Sequence, residues 1–275
     1  MISGSTRLAA VIGSPVEHSL SPTLHNAAYE ALGLDWVYLA FEVPAGRGAD
    51  ALDAAAVLGL VGISVTMPHK HDAAARCDDL TDDAALLHSV NTVTVQRDGR
   101  LLGDSTDGEG FVRSLRAAGH DPAGAPVLVL GAGGAARAVT LACARAGAEV
   151  SITARRASAA DDAARALGVA AVAWEDRDAA ARTTAIVVNA TPLGMTESAC
   201  PLDPGAVGAG QVYADLVYHP RETAMMAAAA ASGADVVGGI GMLVHQAALQ
   251  VERWSGRTAP VDIMRSAVER ALVAR

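Results

Sequence analysis

Val127-Leu-Val-Leu130 runs straight into Gly131-Ala-Gly-Gly-Ala-Ala136, and the reading of this stretch decides the fold. A short apolar run of this kind is a buried strand, and Ala135–Ala146 with Gly147 as its C-cap is a helix. Between them lies G-x-G-x-x-A. Gly131 permits the tight turn, Gly133 lets backbone approach a pyrophosphate, and Ala136 is small enough for close helix–sheet packing. The amides and positive dipole at the helix start then meet phosphate charge. Gly131, Ala132, Gly133, Gly134 and Ala135 are therefore the candidate dinucleotide cradle. The choice of dinucleotide is read after the next strand, Glu149–Thr153. An acid there would accept from a ribose 2′-hydroxyl. This chain instead has Ala154-Arg155-Arg156, two guanidinium groups suited to a 2′-phosphate. NADP is the expected cofactor.

Outward from this turn, strands and helices alternate in both directions. Upstream, Arg7–Gly13, Trp36–Glu42 and Leu60–Thr66 read as strands. Ser21–Pro22 opens a helix that Gly33 closes, and an Ala-rich helix covers Ala49–Leu58. Val90–Gln96 and Leu101–Gly103 flank the Asp98–Gly99 turn, which predicts an antiparallel edge on a mostly parallel sheet. After the Gly119–Pro126 linker, further strands are expected at Ala170–Trp174, Ala185–Asn189, Gln211–Asp215 and Asp235–Val237. The last segments, Met242–Trp254 and Val261–Val273, are helical. The expected class is α/β: an N-terminal α/β substrate domain with a mostly parallel sheet, plus a Rossmann-type doubly wound NADP-binding domain. The division is expected at 1–106, completed by helices in 240–275, and 107–239.

Composition narrows the function. With 275 residues, 51% hydrophobic and 19% charged, the chain is that of a globular enzyme. A net charge of −9 offers no basic field for nucleic acid. No apolar run nears the roughly 18 residues of a membrane span, and no secretory signal is evident. Cys77, Cys143 and Cys200 are far apart, which suits a reducing cytoplasm and no metal site. Of the 21 basic residues, all but Lys70 are Arg. Lysine releases a proton when its pKa is lowered, whereas arginine stays charged, so the lone lysine is a candidate for chemistry.

Five polar clusters lie outside the glycine turn: Ser19–Asn26, Ser64–Lys70, Val90–Val93, Gly103–Asp107 and Gly241–Gln246. With these, with Asn189-Ala-Thr-Pro-Leu-Gly-Met195 and with Asp215-Leu-Val-Tyr-His-Pro220, the chain resembles the shikimate/quinate dehydrogenase family almost end to end. The resemblance implies NADP-linked interconversion of 3-dehydroshikimate and shikimate between a substrate domain and a Rossmann domain. It implies Lys70 and Asp107 as the catalytic pair and Ser19 and Ser21 as ligands of the substrate carboxylate. Thr66, Asn91, Asp107, Tyr218 and Gln246 would hold ring hydroxyls, and Asp82, Thr191, Leu216 and Gly239 would lie near the cofactor.

These residue types suit the reaction. Ketone reduction builds negative charge on oxygen, which needs a proton donor within hydrogen-bond reach. Several of them have plainer readings as well. Ser21 also fits a helix N-cap, a role Ser19 lacks; Asp107 also fits a cap, and Asn91 a turn residue. His69, His71 and His245 read as surface or supporting groups, since Lys70 is a sufficient acid. The chain departs from the family pattern at Ser64 and Ser105, where Asn is usual, each shortening the reach and removing an amide donor. A quinate or aminoshikimate dehydrogenase is therefore an alternative, and a non-catalytic NADP(H)-binding sensor a more distant one. The partner is a small molecule, with neither nucleic acid nor membrane, and both monomer and homodimer stay open.

Overall fold

The computed structural model describes residues 2–196 and 199–274. Their contacts divide the chain into two compact units, 1–106 with 244–275, and 107–243.

In the first unit, strands β1 (Arg7–Gly13), β2 (Trp36–Glu42), β3 (Gly62–Val65), β4 (Asp79–Leu80), β5 (Thr92–Val95) and β6 (Leu101–Asp104) form one sheet. Its order is β2-β1-β3-β5-β6-β4. β5 runs antiparallel to both β3 and β6. The antiparallel strand β5 is thus interior, between β3 and β6, and the edge expected there is taken by a short unforeseen strand, β4, which pairs parallel to β6. Helices α1 (Ser21–Ala31), α2 (Gly48–Val57), α3 (Lys70–Arg76) and α4 (Asp82–Leu87) accompany the sheet. Ala10, Ile12, Ile63, Val65, Val90 and Val93 centre its core.

The second unit opens with α5 (Asp107–Ala117). It continues through β7 (Pro126–Leu130), α6 (Gly134–Arg145), β8 (Glu149–Thr153), α7 (Ala157–Leu167), β9 (Ala170–Ala171) and α8 (Arg177–Ala181). It then adds β10 (Ile186–Asn189), β11 (Val212–Asp215), α9 (Ala224–Ala231) and β12 (Asp235–Val237). The sheet order is β12-β11-β10-β7-β8-β9, with every pairing parallel. β7 shows why its sequence is apolar throughout. Val127 and Val129 enter the core on one face, Leu128 and Leu130 the core on the other. The expected strand at Ala170–Trp174 is shorter, and Trp174 begins a turn of 3-10 helix.

Two glycines hold this unit close. A Cβ on Gly108 would come 2.3 Å from the Ala138 carbonyl oxygen, so α5 and α6 pack with almost no spacing. One on Gly239 would come 2.4 Å from the Leu216 oxygen. The chain then passes through α10 (Ile240–Ser255) into α11 (Val261–Val273), and α11 packs on α1.

Candidate functional site

In a parallel sheet, ligands bind beyond the carboxyl ends of strands where the strand order reverses. Here the reversal falls at β7, which has β8 on one side and β10 on the other. A cavity of ≈ 390 Å³ lies at that point, lined on one wall by Gly131, Ala132 and Gly133, and on the other by Thr191 and Leu193. Ala154, Arg155, Arg156 and Trp174 also line it.

The glycines differ in what demands them. Gly131 has φ +115°, and a Cβ there would sit 2.9 Å from the Ala190 oxygen, so both backbone and packing require it. Gly133 is different. Its backbone is extended and a Cβ would meet nothing within 4 Å, so the protein's own packing leaves that space open. No side chain caps α6, and its first amides have no partner within the helix. An open face over uncapped amides fits a pyrophosphate, and the exposed Arg155 and Arg156 beside it fit a further phosphate.

Two groups of residues that support the cavity lining were not among the candidates. The Arg177 guanidinium lies 4.5 Å from the Trp174 ring centroid and donates to the Trp174 oxygen (2.8 Å) and the Pro201 oxygen (3.0 Å). The indole is thus braced as one wall of the cavity. Asn189 and Asp215 form the other group. The Asn189 Oδ1 accepts from the Thr191 amide (3.1 Å) and hydroxyl (2.6 Å), and its Nδ2 donates to Asp215 Oδ1 (3.0 Å). Asp215, 1% exposed, also accepts from the Val217 amide (3.0 Å) and the Thr223 hydroxyl (2.9 Å). Burial pushes its carboxyl above the usual carboxylate range, while these donors oppose the shift. The pair shapes the loop at Thr191 and the start of the segment carrying Leu216 and Tyr218. Both residues stand inside recognisable sequence motifs, but only their burial reveals what they do.

Of the candidate cofactor residues, Gly134 and Ala135 open α6, and Leu216 and Gly239 pack on one another. Asp82 stands on the first unit. It is exposed in the first turn of α4, where an acid favours the helix dipole and Thr81 supplies the cap.

In the first unit, the candidate substrate residues gather at one end of the sheet. Thr66 follows β3, and its amide donates to the Ile12 oxygen of β1 (3.0 Å). The Val65 amide donates to the Asn91 oxygen (2.8 Å), which brings the start of β5 alongside. Asn91 is 3% exposed and its Oδ1 accepts from the Thr106 amide (2.8 Å), tying it to the end of β6. Lys70 is the first residue of α3, and Asp107, 8% exposed, is the first of α5. Tyr218 stands in the second unit and Gln246 on α10 in the first. At α1 the N-cap position is Leu20, so the plainer reading of Ser21 as N-cap does not hold. Ser21 lies inside the helix without capping it, and the Ser19 Oγ accepts from the Ser21 amide at 3.2 Å. His69 is wholly buried and its Nε2 bonds the Val43 oxygen (2.8 Å), a structural role.

A parallel doubly wound sheet with this glycine turn and basic loop defines an oxidoreductase of the NADP-binding class. The comparisons sharpen the class. The family model "Shikimate dehydrogenase substrate binding domain" matches residues 11–93, and "Shikimate 5'-dehydrogenase C-terminal domain" matches 239–269. Residues 126–216 match "NADP oxidoreductase coenzyme F420-dependent". The shikimate dehydrogenase (NADP(+)) of Methanopyrus kandleri is 43% identical, over 97% of this chain and 96% of that protein. The shikimate 5-dehydrogenase of Thermus thermophilus, solved with NADP(H) and shikimate, superposes with a TM-score of 0.91. It is 38% identical, over 96% of this chain and 99% of that one. A shikimate dehydrogenase solved with NADP+ gives a TM-score of 0.93 at 32% identity, over 99% and 98%. This chain belongs to the shikimate dehydrogenase family.

Proposed function

We propose that this chain catalyses the reversible, NADP-dependent reduction of 3-dehydroshikimate to shikimate, a step of aromatic amino-acid biosynthesis. The observation that carries this reading is the open, uncapped glycine turn with Arg155 and Arg156 beside it, in a chain 43% identical to a shikimate dehydrogenase (NADP(+)). Residues 1–106 with 240–275 serve as the substrate domain and 107–239 as the NADP domain.

The amides of Gly131 through Ala135 hold the pyrophosphate. Arg155 and Arg156, with Ala154, would hold the 2′-phosphate, and Asp82, Thr191, Leu216 and Gly239 would lie near the cofactor. Bound cofactor supplies or accepts the hydride. Lys70 Nζ gives a proton to the oxygen that becomes the hydroxyl, and recovers it in the reverse direction. Asp107 orients that ammonium and grips a neighbouring hydroxyl. Ser19 and Ser21 bind the carboxylate by neutral donors, so the substrate is held without a full ion pair. Thr66, Asn91, Tyr218 and Gln246 bind the remaining hydroxyls, and a ring lacking one would leave protein groups unpaired. Among the described residues no helix is long and apolar enough to cross a membrane. A cytoplasmic enzyme, monomeric or homodimeric, fits this reading.

The purified protein assayed with shikimate and quinate, each with NADP and NAD, tests it. Brisk turnover of shikimate with NADP is expected. Negligible shikimate turnover beside rapid quinate turnover would transfer the assignment to the quinate branch.

A further inference from the structure

We infer that Ser64 and Gln250 are positioning residues for substrate specificity: they form the middle of a hydrogen-bond chain that, together with the Thr106 amide, holds the donor polarity of Asn91. The chain links four elements of the first unit. The Tyr38 hydroxyl on β2 donates to the Ser64 Oγ on β3 (2.6 Å), and Ser64 donates to the Gln250 Oε1 on α10 (2.8 Å). The Gln250 Nε2 donates to the Thr92 Oγ1 (2.9 Å), and the Thr92 hydroxyl lies 2.9 Å from the Asn91 Oδ1, to which it donates, and 3.0 Å from the Thr106 Oγ1, where either hydroxyl can be the donor.

Backbone groups pin the direction at two points. The Thr106 amide, which can only donate, lies 2.8 Å from one end of the Asn91 side chain, so that end is the oxygen. The Asn91 main-chain oxygen, which can only accept, lies 3.4 Å from one end of the Gln250 side chain, so that end is the nitrogen. Ser64 must then donate to Gln250 and accept from Tyr38. The Asn91 Nδ2 is left as the donor end of its amide; it bonds the Thr106 Oγ1 at 3.1 Å. Gln250 is 1% exposed and Ser64 7%, so water does not replace a lost member without cost. Short as it is, Ser64 spends its proton on Gln250 and acts through it on Asn91.

The inference rests on Asn91 being a substrate ligand. It predicts that Asn91 meets the substrate as a donor and that Ser64 and Gln250 keep it so. Three variants are compared with the native protein: Ser64→Ala, the near-isosteric Gln250→Met, and both together. Each single change is expected to raise the KM for shikimate about tenfold, with kcat and the KM for NADP within about twofold. Because the chain acts as one unit, the double variant is expected to be no worse than the poorer single one. Ser64→Thr, which retains the hydroxyl, should recover most of the affinity.

Unchanged KM in folded single variants, additive effects in the double, or parallel loss of kcat and NADP affinity would each overturn the inference. Should Ser64→Ala not fold, Gln250→Met and Ser64→Thr carry the same comparison. Asn91→Ala separates the two levels: if it leaves the shikimate KM unchanged, the substrate reading itself fails. If it raises KM while Ser64→Ala does not, only the positioning role fails.

Discussion

Lys70 carries the proposed proton transfer, and its replacement is the sharpest test at the scale of single residues. Lys70→Ala should lower kcat by about 10²–10⁴, the usual worth of a positioned acid, with NADP affinity nearly unchanged. Steady-state kinetics beside cofactor titration would decide; full activity in the variant would sink the mechanism. Arg155 and Arg156 are exposed at the cavity, so their contribution depends on the ligand they meet. Replacing both by Ala should weaken NADP about tenfold or more while NAD changes little, since charged hydrogen bonds contribute about 1.5–3 kcal/mol. Equal losses for both cofactors would refute the 2′-phosphate assignment. His25 provides a test by pH. It stacks on Tyr38 (4.0 Å between ring centroids), and burial lowers its pKa from 6.5 to about 4. The unfolded chain then binds the extra proton first, so this contribution is whole above pH 6.5 and is lost as pH falls towards 4. Its size is roughly 3 kcal/mol. His25→Phe, which keeps a ring in the stack, should flatten the pH dependence of urea unfolding in that window.

At the scale of elements, α5 and α6 approach one another closely in the second unit. With the Ala138 oxygen 2.3 Å from where a Cβ would stand, Gly108→Ala must force the helices apart. A loss of about 1–3 kcal/mol is expected, read as a lowered urea midpoint with unchanged slope. An unaltered midpoint would mean that the two helices separate without cost. Elements also show where local reading stops. The run from β7 through α6 to β8 was legible because strand, turn glycine and helix are each encoded in neighbouring residues. β4, with two residues, and α4, with six, are too short to show a period. The interior place of β5 depends on its pairing with β3, some thirty residues upstream in sequence, and no local pattern carries that register.

Over the whole molecule, two units differ in design: a mixed sheet whose one end gathers Thr66, Asn91 and Thr106, and a parallel sheet whose strand reversal opens the cavity. The sequence alone was enough for the fold class, the candidate dinucleotide turn, the expectation of NADP and the candidacy of Lys70. Each of these rests on residue types at short spacing, where backbone geometry and side-chain chemistry act locally. Only the tertiary structure decided that Ser19 rather than Ser21 serves the start of α1, that Arg177 braces Trp174, and that Asn189 and Asp215 shape the cavity loop. It alone joined Ser64 to Gln250, which lie 186 positions apart. The physical reason is common to these cases. A buried polar group must find a partner wherever the fold brings one, and that choice is made in space, across strands and helices that sequence order does not rank.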